Sequence, residues 1–415
     1  MTVTNARLAE TRSQTDQNLL RGVIEALAPL ERLAGSDGER EAAEWIATRL
    51  NQAGAPASVD EERFDDGYAG MIGRLAAIAA AAGAVGVSGH GRRLASGVAA
   101  AATALIADDI SNGLRPWRKA TMERKPTWNV VAEAGDPAAE RTLVVMAHHD
   151  AARTGQIFDD TVQKLLGEHL PGVVERIDTS LPLWWPLLAG PASVAVGTAT
   201  RRRKLAVFGT LASALGAAVM ADIERSPVVP GANDNLSAVA VLVALAEALQ
   251  RKPVQGLRVV LASCGAEEVL QGGVYAFCQR HLAPLDREQT WMLNLDTVGS
   301  PGLVLLEGEG AIVMEDFFDR TWRDLIVAVA ERERIPMRRG MRARTSTDSV
   351  VPSRMGIPTA CLVSINRYKG LSNYHQMSDT PEKVSYPTVA CAADLAEALA
   401  RELAAPEQSS RFERR

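Results

Sequence analysis

The chain has 415 residues, and 45 Lys and Arg stand against 50 Asp and Glu, a net charge of −5. At roughly 150 residues per domain this length predicts two to three domains or one large α/β domain with insertions, which excludes a disulfide-stapled mini-protein, and the lack of a basic surplus excludes nucleic acid as a partner. With 47% hydrophobic and 23% charged residues the chain can build a core, so long disorder is excluded except at the ends.

The first 20 residues contain no apolar run, so no cleavable secretory signal is expected. From Leu19 to Leu33 and from Glu39 to Leu50 apolar residues recur every three or four positions, and the second run follows the start signal Ser36-Asp37-Gly38-Glu39. Both predict amphipathic helices. Short Val/Ile/Leu-rich runs then predict strands buried on both faces: Trp128–Ala132, Thr142–Ala147, Leu257–Ser263, Trp291–Leu295, Leu303–Leu306 and Thr359–Val363. Between and after them Asn235–Gln250, Val269–His281, Glu315–Arg334 and Pro387–Leu403 have helical character. This alternation predicts an α/β fold, a three-layer αβα sandwich around a mostly parallel mixed sheet.

Two stretches break the pattern. Gly67–Thr127 holds the charge-free runs Leu75–Gly89 and Leu94–Ala107, joined by His90-Gly91-Arg92-Arg93. Gly155–Pro230 holds Leu181–Thr200 and Leu205–Ala221, joined by Arg201-Arg202-Arg203-Lys204. Each reads as an inserted apolar helical hairpin with a basic tip. At ~1.5 Å per residue the second pair comes closer to the ~30 Å of a hydrocarbon core than the first. Since cytoplasmic loops favour Lys and Arg, insertion would place the tips in the cytoplasm and the main domain outside. The other reading is a helical subdomain that packs on itself or on a second subunit. The four cysteines, Cys264, Cys278, Cys361 and Cys391, form no C-x-x-C pair and are expected to be buried thiols.

Chemistry-bearing residues gather at the ends of the predicted strands, where α/β sheets place their sites. After Thr142–Ala147 comes His148-His149-Asp150, in which an imidazole and the carboxylate that orients it stand two residues apart, and His149 is assigned to packing or pocket lining. Gly231-Ala232-Asn233-Asp234-Asn235 precedes an apolar helix, and one of its polar residues suffices as a helix cap. Ser263-Cys264-Gly265-Ala266-Glu267-Glu268 puts two adjacent carboxylates at a strand end, where they repel unless a cation lies between them or the helix dipole and water stabilise them. Asn294-Leu295-Asp296 and Asn373-Tyr374-His375, with Ser378-Asp379-Thr380 following, complete the set. Each alone reads equally as a turn or a cap. Together they offer two histidines, three carboxylates and a spare glutamate, a donor set suited to a pair of divalent ions such as zinc.

These segments, A-H-x-D, G-x-x-D-N-x-S, G-x-E-E, N-x-D and Y-H with D-T downstream, appear in the order shown by the M28 family of zinc peptidases, which includes bacterial aminopeptidases. The chain resembles that family over about Asp16–Phe64, Asn129–Asp150 and Gly231–Leu403. The resemblance implies that His148, Asp234, Glu268, Asp296 and His375 bind two zinc ions, with Asp234 bridging. It also implies that Glu267 is the general base, that Asp150 holds His148, and that Tyr374 donates to the oxyanion. The chain departs from the family at Ala238, where a glycine is common, at Thr347-Asp348-Ser349, where S-D-H is common, and in lacking an arginine just before that segment.

The expected organisation is a zinc peptidase domain over 1–66, 127–154 and 231–405, apolar hairpin insertions over 67–126 and 155–230, and a loose tail over 406–415. The expected function is aminopeptidase action on peptides, with membrane association through the hairpins and no nucleic acid partner. The sequence leaves the oligomeric state open. A single-zinc cyclase converting N-terminal glutamine is the rival within the family, and a catalytically silent membrane scaffold is the rival outside it.

Overall fold

The structure, a computed structural model, describes residues 15–405. The expected loose tail over 406–415 and the first 14 residues, on which the expectation of no cleavable signal falls, lie outside the described residues.

Helices α1 (Gln17–Leu27) and α2 (Asp37–Gln52) open the fold, and the Ser36 hydroxyl caps α2 by accepting from Glu39 N at 3.2 Å. Strand β1 (Ala57–Asp65) leads into the helix pair α3 (Ala69–Val87) and α4 (Arg92–Ile110), then short α5 (Pro116–Thr121), β2 (Arg124–Gly135) and β3 (Thr142–His148). A second excursion carries α6 (Thr161–His169), α7 (Pro171–Arg176) and the pair α8 (Trp185–Ala199) and α9 (Arg203–Arg225). The chain then returns through α10 (Ser237–Arg251), β4 (Arg258–Cys264), α11 (Gly272–Phe277), β5 (Thr290–Leu295), β6 (Gly302–Glu309) and β7 (Glu315–Asp316). It ends with α12 (Arg320–Arg332), β8 (Met337–Ala343), α13 (Val350–Arg354), β9 (Thr359–Ile365) and α14 (Tyr386–Ala404).

The strands form one mixed sheet in the order β1-β2-β4-β3-β5-β9-β6-β7, with β8 also paired to β6. Its centre, β4-β3-β5-β9, is parallel, while β1, β2 and β6 join antiparallel. Side chains alternate across it. Leu143, Val145 and Ala147 face a large core shared with α1, α10 and α14, whereas Val144 and Met146 face a smaller one with Phe277 and Val350. Helices therefore cover both faces of an α/β sandwich. All four cysteines are free and buried in these layers.

Two expected helices come out differently. Instead of one helix over Val269–His281, α11 starts only at Gly272, because Ala266, Leu270 and Gln271 hold φ of 53°, 69° and 63°, outside the helical range. The run Glu315–Arg334 divides into β7 and α12, separated by Asp319 at φ 65°, whose carboxylate caps Thr321 N at 2.7 Å.

The two helix pairs pack on one another as a four-helix bundle. At its foot Met71, Ile72, Ile106, Leu187, Met220 and Ile223 form a core that also takes in Leu270 and Ala311 of the sheet region. Towards the turns at 88–91 and 200–202 contact is made through small residues. A Cβ on Gly209 would lie 2.4 Å from Val194 N, and one on Gly83 would lie 2.2 Å from Thr210 Oγ1.

Candidate metal centre

Parallel strands present their carboxyl ends at one edge of the sheet, and the predicted residues converge there. β3 ends on His148, which is 3% exposed. Its Nε2 lies 3.3 Å from Asp234 Oδ1 and 4.0 Å from Glu267 Oε2. Asp234 reaches the other way to His375, with Oδ2 3.4 Å from Nε2, and the same nitrogen lies 3.1 Å from Glu268 Oε2. One buried carboxylate thus stands between two imidazoles. Donor atoms of His148, Asp234 and Glu268 all fall within 4.8 Å of one another, a spacing that a metal ion can close. Asp296 lines the same cavity, but its carboxylate accepts from its neighbour Thr297 Oγ1 at 2.7 Å and makes no ion pair with either imidazole among the described residues.

Each position is built by backbone partners remote in sequence. Asp234 is set by Asp379, whose carboxylate accepts from Asn233 N at 2.9 Å and Asp234 N at 3.1 Å. The flanking asparagines staple this segment to the loop after β5. Asn235 donates to Leu295 O and accepts from Thr297 N, each at 2.9 Å, and Asn233 accepts from Gly299 N at 2.7 Å. None of the three caps α10, whose N-cap is Leu236 without a side-chain bond. The crowding of polar residues there serves the loop and not the helix end.

Asp150 does two things. Its Oδ1 is 3.4 Å from His148 Nδ1, too far off line for a good hydrogen bond, while Oδ1 and Oδ2 accept from Glu267 N and Glu268 N, each at 3.0 Å. It therefore orients the Glu267-Glu268 turn more firmly than the imidazole. Glu39 supports the same turn from α2 by accepting from Ala266 N at 2.8 Å and from Thr127 Oγ1 at 2.7 Å. Gly265 is required beside it, since a Cβ would lie 2.1 Å from Glu39 Oε1. Glu267 Oε1 accepts from Gln271 Nε2 at 2.7 Å, which leaves Oε2 facing His148. Gln271 is held in turn by Ser346, and Asn112 Nδ2 at the end of α4 donates to Ser346 Oγ at 3.0 Å.

Burial dominates the electrostatics. It pushes the Glu267 carboxyl well above the usual carboxylate range, where Asp348, Glu268 and Asp296 also repel its charge, and it raises Glu268 and Asp296. Burial alone would lower the histidines, yet Asp150, Asp234 and Glu267 lift His148 well above its usual value, and Glu268 with Asp234 lifts His375 to about 10. Asp234 moves down despite burial because it meets both imidazoles. Glu268 Oε1, His148 Nδ1, His375 Nδ1 and both oxygens of Asp348 are buried without a hydrogen-bond partner. Carboxylates outnumber imidazoles in a closed space, and a cation relieves that imbalance.

The site opens into a cavity of about 760 Å³ whose far wall is apolar, with Val304, Leu306, Met341, Val363 and Ile365, and which Ser180 and Lys369 also line. Tyr374 lines it too, stacked on His375 at 3.9 Å between ring centroids, with no hydrogen bond to its hydroxyl among the described residues. His149 lies outside the cavity, buried, with Nδ1 2.9 Å from Ser263 Oγ. Phe158, from the second excursion, sets its ring edge-to-face with His375 at 4.5 Å between centroids, and Lys369 donates to Glu175 O and Ile177 O, so the segment before α8 covers this side of the site.

The sequence reading passed over Arg32 and Gln271 and took Glu39 only as a helix start. Arg32 is fully buried, donating to His149 O, Leu27 O and Pro230 O, each at 2.8 Å. These residues carry no local signal for the site, because each also depends on a partner far away along the chain: His149 and Pro230 for Arg32, Ser346 for Gln271, Ala266 and Thr127 for Glu39.

Residues 215–400 match the family model described as Peptidase family M28. Among solved structures the fold is similar to a zinc aminopeptidase from Bacillus subtilis, at TM-score 0.56 and 14% identity over 94% of this chain and 96% of that one. It is also similar to an aminopeptidase from Aneurinibacillus sp. strain AM-1, at TM-score 0.52 and 15% identity over 95% of each chain. A glutaminyl cyclase from Bacteroides thetaiotaomicron bound to N-acetylhistamine is similar at TM-score 0.56 and 12% identity, over 94% of this chain and 98% of that one. No curated protein matches the chain in sequence. Four of the five ordered motifs lie within the match over 215–400, and the sheet brings the fifth, at His148 and Asp150, to the same edge; over 215–400 the chain carries the pattern of peptidase family M28 on an aminopeptidase-like α/β fold.

Proposed function

We propose that this protein is a zinc-dependent peptidase of the aminopeptidase type. The observation that carries the reading is Asp234, whose two oxygens address His148 and His375 at 3.3 and 3.4 Å, as a carboxylate bridging two ions does. His148 and Asp296 would complete one ion's shell, and Glu268 and His375 the other's. The donors fit zinc: imidazoles and carboxylates converge in a closed space with an excess of negative charge. When bound, zinc supplies Lewis acidity to the scissile carbonyl and lowers the pKa of a water toward neutrality.

The chain's own residues do the rest. Glu267 has one oxygen tied to Gln271 and the other directed at the cluster, so it can take the attacking water's proton and deliver it to the leaving amine. Asp150 keeps Glu267 and Glu268 in register through their backbone N–H groups. Tyr374, with its hydroxyl unengaged at the cavity wall, donates to the developing oxyanion. The apolar wall receives the side chain of the residue released, so apolar N-terminal residues are preferred.

Metal analysis and a panel of free and N-blocked peptides test this. Two zinc ions per chain and release of N-terminal residues from free peptides alone are expected. Glu267→Gln should lower turnover at least ~10²-fold with zinc retained; unchanged turnover removes Glu267 from its role, and a chain that binds no zinc removes the whole reading. One observation favours a second reading. Asp296 accepts from Thr297 Oγ1 and pairs with neither imidazole among the described residues, as suits a single-ion site, and the Bacteroides glutaminyl cyclase has a similar fold. One zinc per chain with conversion of N-terminal glutamine would decide for it.

A further inference from the structure

The half of the four-helix bundle nearest its turns is built inside out relative to the rest of the molecule. Near its turns the interior holds Ala79, Gly83, Gly86, Ala95, Ala99 and Gly209, while larger side chains face outward. Phe208 is 57% exposed, Leu211 65%, Leu215 67% and Leu94 74%. In water this arrangement gains little, because the hydrophobic effect stabilises large apolar groups inside and not alanine and glycine. In lipid the solvent is as apolar as leucine, and helices associate through small residues that let their backbones approach.

Charge is sorted along the bundle as well. Arg92, Arg93, Arg201, Arg202, Arg203 and Lys204 lie at the two turns with no acidic residue among them, and the packing of Gly86 against Thr198 and Ala95 brings those turns to the same end. At the foot Trp185 is 48% exposed, while Trp184 is buried edge-on against Tyr68 at 6.0 Å between ring centroids. A band without Asp, Glu, Lys or Arg lies between, from Leu205 to Ala221 on α9. Cations at one boundary, an exposed tryptophan at the other and an apolar band between them fit the two faces of a bilayer. Among the described residues three helical stretches are long and apolar enough to cross one, Ala69–Val87, Arg203–Arg225 and Ala232–Arg251, and of these the last is 94% buried in the catalytic core.

We infer that α3, α4, α8 and α9 form a membrane-embedded bundle, with its basic turns at the anionic cytoplasmic leaflet and the metal-site domain on the opposite side. A second copy of the chain is a poorer occupant. Ile78, Leu94, Val196 and Phe208 are exposed on four different helices, so a dimer face covers one flank whereas lipid surrounds them all. Anionic headgroups also complement the six cations at the turns, which a second basic tip would repel.

The test uses the full chain expressed in bacteria. The protein should stay with membranes through an alkaline carbonate wash, and the purified protein should float with phosphatidylcholine vesicles containing phosphatidylglycerol. The Leu211→Glu, Leu215→Glu double variant should lose at least tenfold of that retention while its zinc content stays unchanged, which separates release from unfolding. Because the native cysteines are buried, Ser88→Cys at a turn and Glu140→Cys on the metal-site domain can be probed with a membrane-impermeant maleimide. Glu140→Cys should react in intact spheroplasts and Ser88→Cys only after lysis. Recovery in the wash, a detergent-free dimer that the double variant dissociates, or labelling of both sites from one side would each overturn the inference.

Discussion

Helices α9 and α10 have similar composition and opposite fates. Helix α9 and the stretch Ala232–Arg251 that contains α10 are both long and apolar enough to cross a bilayer, yet the latter is 94% buried beneath α1, α14 and the sheet, while α9 is 28% buried. In α10 large residues such as Val241, Leu242 and Leu245 face inward, whereas in α9 the inward positions nearer the turn belong to Ala206, Gly209 and Ser213, and the large Met220 and Ile223 turn inward only at its foot. Hydrophobicity therefore says that a helix avoids water. What it meets instead depends on whether large or small residues point at its neighbours.

The sharpest way to break this comparison is to place one charge in each helix. Val241→Asp leaves a carboxylate unpaired in a closed core and should destabilise the metal-site region by more than about 4 kcal/mol, enough to abolish zinc binding and protease resistance. Leu215→Asp should leave that region folded. Equal damage in circular dichroism and proteolysis would mean that the bundle is an ordinary core.

A second contrast comes from pH, because the metal-site region buries ionisable groups. Burial takes His149 from the ordinary 6.5 down to about 4, so it is neutral when folded. Below pH 6.5 the unfolded chain takes up a proton that the folded one refuses, and stability falls as pH drops to 4, by about 3 kcal/mol at about 1.4 kcal/mol per pH unit. Urea melts at pH 7.5 and 4.5 should show a smaller loss for His149→Gln than for the parent chain, and metal release common to both cancels in the difference.

The regions meet in the chain from Asn112 through Ser346 and Gln271 to Glu267. Gln271→Leu removes the donor that holds the base and should lower kcat by about tenfold, near 1.4 kcal/mol, with KM and zinc content unchanged. Asn112→Ala should lower kcat less, and the double variant should cost less than the sum of the two. Strict additivity would show that the bundle's end does not position the base. The smallest effect is expected at Phe208→Ala, within about 0.5 kcal/mol for the catalytic fold, because its ring is 57% exposed. A loss as large as a buried phenylalanine causes would place Phe208 in a core.

Much of the site was legible because its chemistry clusters locally. His148 and Asp150, and Glu267 and Glu268, are each a few residues long at the end of an apolar strand, and Asn233 to Asn235 stand just before an apolar helix, places where polar residues need a reason. The central strands were legible for the same reason, each being a short run of branched apolar residues. β1 and β8 were not, because ASVDEERFD and MRRGMRA are polar edge strands with no apolar face to reveal the period. The wait before α11 was hidden in positive φ values that no residue type there announces.

The amino-acid order alone therefore determined the strand and helix alternation, the donor types, and the two apolar excursions with their basic turns. Only the tertiary structure decided that Asp234 faces both imidazoles, that Asp296 lines the same cavity while bonded to Thr297, that Asp150 serves the glutamate turn, and that the four excursion helices join in one bundle. Composition and periodicity are local properties of the backbone and its solvent preference. A shared focus of side chains depends on distances across the sheet, which are set when layers pack and which no run of neighbouring residues records.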